Sequence, residues 1–280
     1  MARKQKRWLQ GVTILIAALV FCFVQNNYLT VSCYTYENAL IPKCFEGYRI
    51  VQISDLHNAV FGTENKRLLG RLKELEPDMI VLTGDLVDSN HTNLDVAIAF
   101  AGHCTEIAPT YYITGNHENW LDVSQKEFLL AELEKLGVQC LKDEFVEITR
   151  ENVSLTLIGL NDESLTGNTL HKVLEKTKEG QLQILLAHEP QYLEEYAENG
   201  VDIVFSGHAH GGQVRLPFWG GLVAPDQGFF PRYTEGMHVM GDTTMIISRG
   251  LGNSVIPLRM FNLPEIVYVE LKGKSDNASY

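Results

Sequence analysis

The stretch YRIVQISD, residues 48–55, is a short apolar run that ends in a carboxylate. Its length and its content of Val and Ile are typical of a strand buried on both faces of a sheet. Seven similar runs follow it: DMIVLTGD (78–85), TYYITGNH (110–117), VSLTLIGLND (153–162), LQILLAH (182–188), VDIVFSGH (201–208), TTMIISRG (243–250) and EIVYVEL (265–271). The sequence therefore predicts a domain built around repeated buried strands.

Amphipathic helices are predicted between several of these strands. In residues 64–77, four leucines share one helical face, and Pro77 ends the run. Residues 93–107 and 124–137 have the same character, and Gly137 is placed to end the second of them. Alternating strands and helices predict a layered α/β fold, in which the helices lie outside a sandwich of strands.

The N-terminus combines a basic start with an apolar continuation. Residues 1–7, MARKQKR, contain four of the 23 Lys and Arg residues, and no charged residue occurs from Trp8 to Tyr36. The apolar part is at the short limit for a helix that spans a bilayer, and the basic flank favours a cytoplasmic N-terminus. We predict a basic cytoplasmic tail at 1–7 and a transmembrane signal-anchor at 8–26, in a single-pass protein of the cell membrane. A cleaved signal peptide is the alternative.

The rest of the chain is predicted to lie outside the cytoplasm. It divides into a linker (27–46), a folded domain (47–272) and a C-terminal tail (273–280). Beyond the basic start, 19 Lys and Arg stand against 35 Asp and Glu, so general binding to nucleic acid is not expected. The five cysteines lack metal-ligand spacing, although Cys33 and Cys44 are a candidate disulfide.

Residue types that bind metals follow five of the predicted strands. They are Asp55 and His57, Asp85 and Asp88, Asn116 and His117, His188, and His208 and His210. In open α/β sheets, ligands bind beyond the carboxyl ends of the strands. Asp, His and Asn together suit divalent Mn, Fe, Zn or Ni. In extended backbone, the alternate residues of Asp-x-His and His-x-His point the same way. The sequence therefore predicts a metal site at this edge.

The order of these motifs resembles the calcineurin-like metallophosphoesterase superfamily. The resemblance rests on Asp55-x-His57, GDLVD (84–88), GNHE (115–118), His188 and GHAH (207–210), and it covers residues 47–272. Asp85 lies 30 residues after Asp55 and 31 residues before Asn116, which is usual for the superfamily. The strings SGHAHGGQVRLP, APDQG and SRGLGNS resemble a bacterial branch that includes membrane-attached phosphodiesterases. The resemblance implies a four-layer α/β sandwich, in which helices flank two packed sheets.

The resemblance also implies roles for the residues at the strand ends. Two divalent metal ions are implied: Asp55, His57 and His210 hold the first, Asn116, His188 and His208 hold the second, and Asp85 bridges them. A hydroxide between the ions is the implied nucleophile for in-line attack on phosphorus. His117 is then the general acid, or at least a hydrogen-bond donor to the transition state, and Asp88 orients its ring.

Together these features predict a dinuclear metal-dependent phosphoester hydrolase, and more specifically a phosphodiesterase. A non-catalytic scaffold on the same fold is the alternative, although all seven metal-ligand positions are filled. Because the anchor keeps the site near a membrane, we expect a lipid-linked or envelope substrate. Arg249 either binds a substrate phosphate or forms a structural ion pair. The aromatic residues after the histidine turn either form an apolar rim for a lipid or belong to the core; they are Phe218, Trp219, Phe229, Phe230 and Tyr233.

Overall fold

The computed structural model describes residues 2–216, 218–254 and 256–274. Its strands, in chain order, are β1 (Thr30–Asn38), β2 (Arg49–Ile53), β3 (Met79–Thr83), β4 (Thr110–Ile113), β5 (Gln139–Cys140), β6 (Glu144–Arg150), β7 (Val153–Gly159), β8 (Gln183–Leu186), β9 (Ile203–Ser206), β10 (Arg215–Leu216), β11 (Gly220–Gly221), β12 (Val223–Ala224), β13 (Gly228–Phe229), β14 (Gly236–Met240), β15 (Thr243–Ile247) and β16 (Glu265–Gly273). Its α-helices are α1 (Ala2–Asn27), α2 (Lys66–Glu74), α3 (Leu94–Thr105), α4 (Asn116–Asn119), α5 (Val123–Lys135), α6 (Thr169–Leu174) and α7 (Leu193–Glu198).

Two six-stranded mixed sheets form the centre of the domain. Sheet I has the strand order β1-β16-β2-β3-β4-β5, and sheet II has the order β14-β15-β9-β8-β7-β6. Strands β2 to β5 run parallel to one another, as do β7, β8, β9 and β15. The short pairs β10–β11 and β12–β13 are separate two-stranded hairpins outside both sheets.

Alternate side chains of the central strands enter different cores, as the two-residue period of a strand requires. In β2, Ile50 packs between the two sheets, whereas Val51 and Ile53 pack beneath the helices. Helices α2, α3 and α5 cover the outer face of sheet I, and α6 and α7 cover the outer face of sheet II. The predicted arrangement of two packed sheets flanked by helices is confirmed.

Helix α1 is long and apolar enough to cross a membrane. Its mean hydropathy reaches 2.0 within Arg3–Asn27, and its side chains there are almost entirely exposed. The helix is therefore not a core element of the domain. Only its last turn is enclosed: Gln25 is buried, and Gln25 Oε1 accepts a hydrogen bond from the Asn262 backbone N–H at 3.2 Å.

The segment 27–46, predicted to be a linker, contains an edge strand of sheet I. Strand β1 pairs in parallel with β16 along its whole length, from Thr30 opposite Glu265 to Asn38 opposite Gly273. The linker prediction is therefore wrong over these residues, and the folded domain begins directly after α1. The strand lacks an apolar run because its open edge and one face meet solvent.

Two smaller predictions concern the ends of the domain and its cysteines. Cys33 and Cys44 are both free thiols, so the candidate disulfide between them is absent. Strand β16 extends to Gly273, the first residue of the predicted C-terminal tail, and residues 275–280 of that tail lie outside the described residues.

Candidate metal centre

Five loops converge at one end of the sandwich. They follow β2, β3, β4, β8 and β9, whose last residues are Ile53, Thr83, Ile113, Leu186 and Ser206. The parallel strands of both sheets thus end at the edge where ligands bind in such folds. Beneath this edge, Gln52 Nε2 donates hydrogen bonds to Thr83 Oγ1 (2.9 Å) and to the Ser206 carbonyl oxygen (2.8 Å). The buried Gln52 side chain therefore joins the two sheets under the site.

Five of the seven predicted metal ligands have a left-handed backbone. Their φ angles are 52° for Asp55, 44° for His57, 53° for Asp85, 64° for His208 and 48° for His210. Such angles are uncommon outside glycine and cluster at functional sites, where they cost of order 1–3 kcal/mol each. The expectation that Asp-x-His and His-x-His lie in extended backbone is therefore wrong, because these residues stand in tight turns beyond the strand ends.

Glycine is required where these turns approach one another. A Cβ atom on Gly207 would collide with Ser54 Oγ and with the carboxylate of Asp55. A Cβ atom on Gly115 would collide with Oδ1 of Asp85. The absence of a side chain at Gly207 allows the turn after β9 of sheet II to approach the turn after β2 of sheet I, and at Gly115 it allows the turns after β3 and β4 of sheet I to approach each other.

The first group of candidate ligands contains Asp55, His57, Asp85 and His210, all of which are buried. The Nε2 atoms of His57 and His210 are 3.1 Å apart. Asp85 Oδ2 lies 3.5 Å from His57 Nε2, and Asp55 Oδ1 lies 3.4 Å from His210 Nε2. Separations of this size occur between neighbouring ligands of one cation when each bond is about 2.1 Å long.

The second group contains Asp85, His188 and His208, with Asn116 beside them. Asp85 Oδ2 is 3.3 Å from His188 Nε2. Asn116 Oδ1 lies 3.2 Å from His188 Nε2 and 2.9 Å from His208 Nδ1. The same carboxylate oxygen of Asp85 therefore faces both groups, which is where a ligand shared by two cations belongs.

Contacts on the far side of two rings direct their remaining nitrogens into the second group. His188 Nδ1 is 2.7 Å from the Thr83 carbonyl oxygen, so Nδ1 donates its proton there and Nε2 faces Asp85. His208 Nε2 is 3.0 Å from Asp226 Oδ2, so its Nδ1 faces inward. Metal-binding histidines are usually held in this way by a carbonyl or a carboxylate. The residues present therefore fit two divalent cations.

Burial controls the protonation of the ligands. It lowers the pKa of His57 and of His208, and it lowers the pKa of His210 to about 4. These rings are neutral near pH 7, which is the form of histidine that binds a metal. Burial raises the pKa of Asp85 to about 7. Burial alone would lower the pKa of His188, but the Asp85 carboxylate raises that pKa well above its ordinary value. Positive charge is therefore favoured beside Asp85, as a cation site requires.

His117 lies beside the first group, with its ring centroid 4.5 Å from that of His57. Its Nδ1 accepts a hydrogen bond from the Ser89 backbone N–H at 3.1 Å, so the proton of the neutral ring is on Nε2. His117 Nε2 is 3.1 Å from Ser254 Oγ, and both residues line the cavity described below. Burial lowers the pKa of His117 even though Asp88 opposes the shift. Of its two predicted roles, this arrangement favours the hydrogen-bond donor over a charged acid.

The structure differs from the predicted role of Asp88. Asp88 Oδ1 is 3.7 Å from His117 Nδ1, which is too long for a hydrogen bond. The same oxygen accepts a hydrogen bond from the Asn90 backbone N–H at 2.8 Å. Asp88 therefore shapes the turn that presents Ser89 to the ring, and the Ser89 N–H takes the orienting position.

Arg249 is part of an ion-pair network. Arg249 Nη2 lies 3.0 Å from Glu265 Oε1 and donates to Thr30 Oγ1 at 3.2 Å, and Arg249 Nε lies 3.4 Å from Glu235 Oε2. Arg249 is not among the described residues that line the cavity. The predicted contact with a substrate phosphate is therefore corrected to a structural ion pair, because the Arg249 guanidinium is already paired with the carboxylates of Glu235 and Glu265.

A cavity of about 580 Å³ opens next to the two ligand groups. Its acidic lining residues beyond the ligands are Asp162, Glu189 and Asp226, and its apolar ones are Trp120, Val223, Ala224, Pro225 and Ile256. No lysine or arginine occurs among the lining residues in the part of the chain that the structure describes. A substrate that enters here meets both candidate metal ligands and apolar side chains.

The sequence analysis did not identify two residues that hold candidate metal ligands in place. Asp226 holds the outer nitrogen of His208, as described above, and it stands in the string APDQG, which is the signal that was available for it. Asn262 Nδ2 donates hydrogen bonds to the carbonyl oxygens of His210 (2.6 Å) and Gln213 (3.1 Å). No local pattern marks Asn262, because its partners are about fifty residues earlier in the chain.

Comparisons with known proteins give the family. Residues 48–212 match the family model for calcineurin-like phosphoesterase. The chain is 30% identical to the uncharacterized metallophosphoesterase YkuE of Bacillus subtilis (strain 168), over 90% of this chain and 88% of that protein. It is also 30% identical to an uncharacterized metallophosphoesterase of Aquifex aeolicus (strain VF5), over 95% of this chain and 99% of that protein.

Two further similarities are to a protein whose name includes a transmembrane region and to a solved structure. The chain is 32% identical to the transmembrane protein with metallophosphoesterase domain of Bos taurus, over 83% of this chain and 55% of that protein. The solved structure of TT1561 of Thermus thermophilus matches the fold with a TM-score of 0.50 at 12% identity, over 73% of this chain and 90% of that one. The chain thus belongs to the calcineurin-like phosphoesterase family and is a metallophosphoesterase, a hydrolase of phosphoester bonds.

Proposed function

We propose that this protein is a dinuclear metal-dependent phosphodiesterase. The observation that carries the proposal is the position of Asp85, whose Oδ2 atom is 3.5 Å from His57 Nε2 and 3.3 Å from His188 Nε2. Asp85 belongs to both groups of ligand atoms, whereas no histidine of the first group belongs to the second, so this shared oxygen suits two cations better than one. In this proposal Asp55, His57 and His210 hold the first ion, Asn116, His188 and His208 hold the second, and Asp85 is shared.

When bound, the two cations supply an activated water for attack on phosphorus and neutralise the phosphoryl oxygens. The chain's own groups position the substrate around that centre. His117 Nε2–H, held by the Ser89 N–H at the opposite nitrogen, donates a hydrogen bond to the oxygen on which negative charge develops. The apolar side chains of the cavity lining exclude water from the part of the substrate that they contact.

The charge of the cavity favours a diester over a monoester. A phosphodiester carries one negative charge, whereas a phosphomonoester carries nearly two near pH 7. Glu189 lines the cavity, but burial raises its pKa to about 8, so it adds little negative charge near pH 7. The lining beyond the metal groups also contributes the carboxylates of Asp162 and Asp226 and, within the described residues, no lysine or arginine. Coulomb repulsion from these carboxylates is weaker for the substrate that carries the smaller charge. The apolar lining offers contact to a second, uncharged ester group.

We further propose that α1 is an uncleaved anchor and that the domain lies outside the cytoplasm. Four basic residues precede the apolar part of α1, which favours a cytoplasmic N-terminus. Gln25 and Asn26 in the last turn of α1 are hydrogen-bonded to Asn262 and Arg259 of the domain. Because cleavage within α1 would remove these contacts, an intact helix suits the fold better than a cleaved signal peptide. The anchor would keep the site near lipid-linked phosphodiesters of the envelope.

The test compares hydrolysis of bis-p-nitrophenyl phosphate and p-nitrophenyl phosphate by the full chain in detergent. The protein is stripped with a chelator and refilled with Mn, Fe, Zn or Ni in turn. We expect one or more of these metals to restore turnover, with the diester preferred. His208→Ala should abolish turnover, whereas His103→Ala should not, because His103 is a half-exposed residue of α3 outside the site.

Each outcome bears on a different part of the proposal. Preference for the monoester would overturn the phosphodiesterase assignment but leave a phosphoester hydrolase. Two bound metals with no cleavage of either compound would favour a narrow lipid-linked substrate, whereas absence of bound metal would favour the non-catalytic scaffold. Binding of one metal only, by elemental analysis, would contradict the shared role of Asp85.

A further inference from the structure

Four aromatic side chains of the segment 216–230 extend into solvent. The exposed fractions are 106% for Phe218, 75% for Trp219, 77% for Phe229 and 60% for Phe230. The ring centroids of Trp219 and Phe230 are 6.5 Å apart, so the turn of the β10–β11 hairpin and the end of β13 bring two of these four exposed rings together. We call these four residues the aromatic surface. Contiguous exposed apolar groups of this kind mark sites of contact with a partner or a membrane.

The aromatic surface is linked to α1 through residues 260–261. The Arg215 backbone N–H at the start of β10 donates to the Met260 carbonyl oxygen at 2.9 Å. The next residue, Phe261, is 53% exposed, and its ring centroid is 5.6 Å from that of Phe21 in α1. The exposed aromatic residues of the domain therefore continue toward the apolar part of α1.

Hydrogen bonds fix the end of α1 relative to this surface. Asn26 Oδ1 accepts hydrogen bonds from the Arg259 backbone N–H (3.1 Å) and from Asn253 Nδ2 (2.9 Å). Phe21 precedes Asn27, the last residue of α1, by six residues, which is about 9 Å along a helix axis. Phe261 therefore lies beside the apolar body of α1, below the level at which the helix enters the domain.

The charges around the aromatic surface suit the headgroup region of a bilayer. Residues 214–224 and 228–233 contain no carboxylate. Arg232 is exposed, and its guanidinium carbon is 5.0 Å from the centroid of the Tyr233 ring. Aromatic side chains with a neighbouring arginine are typical of protein surfaces that lie in the membrane interface. Asp226, between the two segments, is engaged by His208.

We propose that the aromatic surface and Phe261 insert into the interface of the bilayer that α1 spans, on the side where the domain lies. Val223 and Ala224 of β12 and the following Pro225 line the cavity, as does Ile256. The cavity then opens at the level of the lipid headgroups, so a phosphodiester attached to a lipid reaches the metal centre without leaving the membrane. This inference rests on the proposed anchoring by α1.

The experiment measures quenching of single tryptophans by phosphatidylcholine that is brominated on its acyl chains. The full chain is placed in vesicles of phosphatidylcholine and phosphatidylglycerol. One variant keeps only Trp219, a second keeps only Trp8 of α1, and a third has Val153→Trp as its single tryptophan. Val153 is an exposed residue at the start of β7, at the opposite end of the strands from the metal centre. We expect Trp8 and Trp219 to lose most of their fluorescence and the tryptophan at 153 to keep it.

The three tryptophans separate the possible failures. Quenching of Trp8 without quenching of Trp219 would overturn the insertion of the aromatic surface and leave the anchor intact. Absence of quenching at both would overturn the anchoring as well. Equal quenching at 219 and 153 would mean non-specific adsorption of the domain, which also contradicts the proposal.

A second variant guards against a change in folding. In Phe218→Ser/Phe230→Ser, made in the background that keeps Trp219, we expect quenching of Trp219 to be lost. Metal content and turnover of bis-p-nitrophenyl phosphate should equal those of that background, which already lacks Trp120 of the cavity, because neither Phe218 nor Phe230 is placed among the metal ligands or beside His117. Loss of bound metal in this variant would contradict the separation of the aromatic surface from the site, whatever the activity of the protein proves to be.

Discussion

The strand-end loops that carry the candidate ligands are built in the opposite way to the segment 214–264 beside them, leaving aside the strands β14 and β15 that this segment adds to sheet II. The ligands Asp55 and His188 are fully buried, and Asp85 is 1% exposed. The segment contains four strands of only two residues and several exposed aromatic side chains. The strand-end loops bury polar groups, whereas the segment exposes apolar groups to solvent.

The two regions also differ in what holds them in place. In the strand-end loops, the buried Glu118 carboxylate accepts hydrogen bonds from the backbone N–H groups of Asp85 (2.9 Å), Val87 (3.2 Å) and Gly115 (2.7 Å). Outside β14 and β15, which pair within sheet II, the segment depends instead on contacts with α1 and with the histidine turn. The sheets therefore determine the chemistry, whereas the segment determines how the site is oriented toward α1.

The largest effect is expected from a substitution that disrupts only the strand-end loops. Asp85→Ala removes the oxygen that faces both ligand groups, so we expect loss of both metals and a fall in kcat/KM of about 10³-fold or more. Elemental analysis and kinetics on the diester provide the measurement. Asp88→Asn is the matched control in the same loop, and it should keep both metals. Retention of two metals by Asp85→Ala would show that the groups do not share this ligand.

The second prediction concerns the cost of burying the ligands when the metals are absent. The pKa of His210 is lowered to about 4 in the folded protein and is about 6.5 when unfolded. The unfolded chain therefore binds more protons between these values. The free energy of unfolding of the chelated protein should fall by about 3 kcal/mol from this residue as the pH drops from about 6.5 to 4. Denaturant titrations at several pH values give the free energy of unfolding of the chelated protein and of His210→Gln. The decrease in this free energy between about pH 6.5 and 4 should be larger in the chelated protein with His210, and an equal decrease in both would exclude the effect.

A third prediction addresses His117, at the boundary between the two regions. His117→Gln keeps a side chain that can donate a hydrogen bond but changes its reach, so we expect both metals to remain and turnover to fall by about 10²-fold. His117→Ala should slow diesters with poor leaving groups most. An equal loss across leaving groups would place the hydrogen bond on an oxygen other than the leaving one.

The strand-end loops were largely predictable from sequence. Each short apolar run is followed directly by residues such as Asp55 or Asn116, and the parallel order of the strands brings their ends together. The family resemblance supplied the division into two groups. The turns themselves were not predictable in detail, because left-handed backbone at Asp55 or His208 is imposed by the neighbouring loops and not by local preference.

Features that depend on distant partners were missed. Strand β1 was taken for a linker because its register is set by β16, more than two hundred residues later. Arg249 was a candidate phosphate contact because its partners Glu235 and Glu265 come from other elements. Asp88 was expected to orient His117. The folded turn shows that the Ser89 backbone N–H, and not the Asp88 carboxylate, is hydrogen-bonded to the His117 ring. A sequence pattern reports local structure, and these contacts are not local.

The smallest expected effect tests whether the two regions are coupled. Asn262 belongs to the segment, yet its Nδ2 donates to the carbonyl oxygen of His210 at 2.6 Å, and its backbone N–H donates to Gln25 of α1. Asn262→Ala removes the first of these bonds, so we expect affinity for the first metal to weaken by about tenfold. Asn253→Ala is the matched control, because Asn253 binds Asn26 of α1 but makes no hydrogen bond to a candidate ligand. Metal titration of both variants gives the comparison. If Asn253→Ala weakens metal binding as much as Asn262→Ala, the helix end supports the site as a whole, and the hydrogen bond to His210 has no separate role.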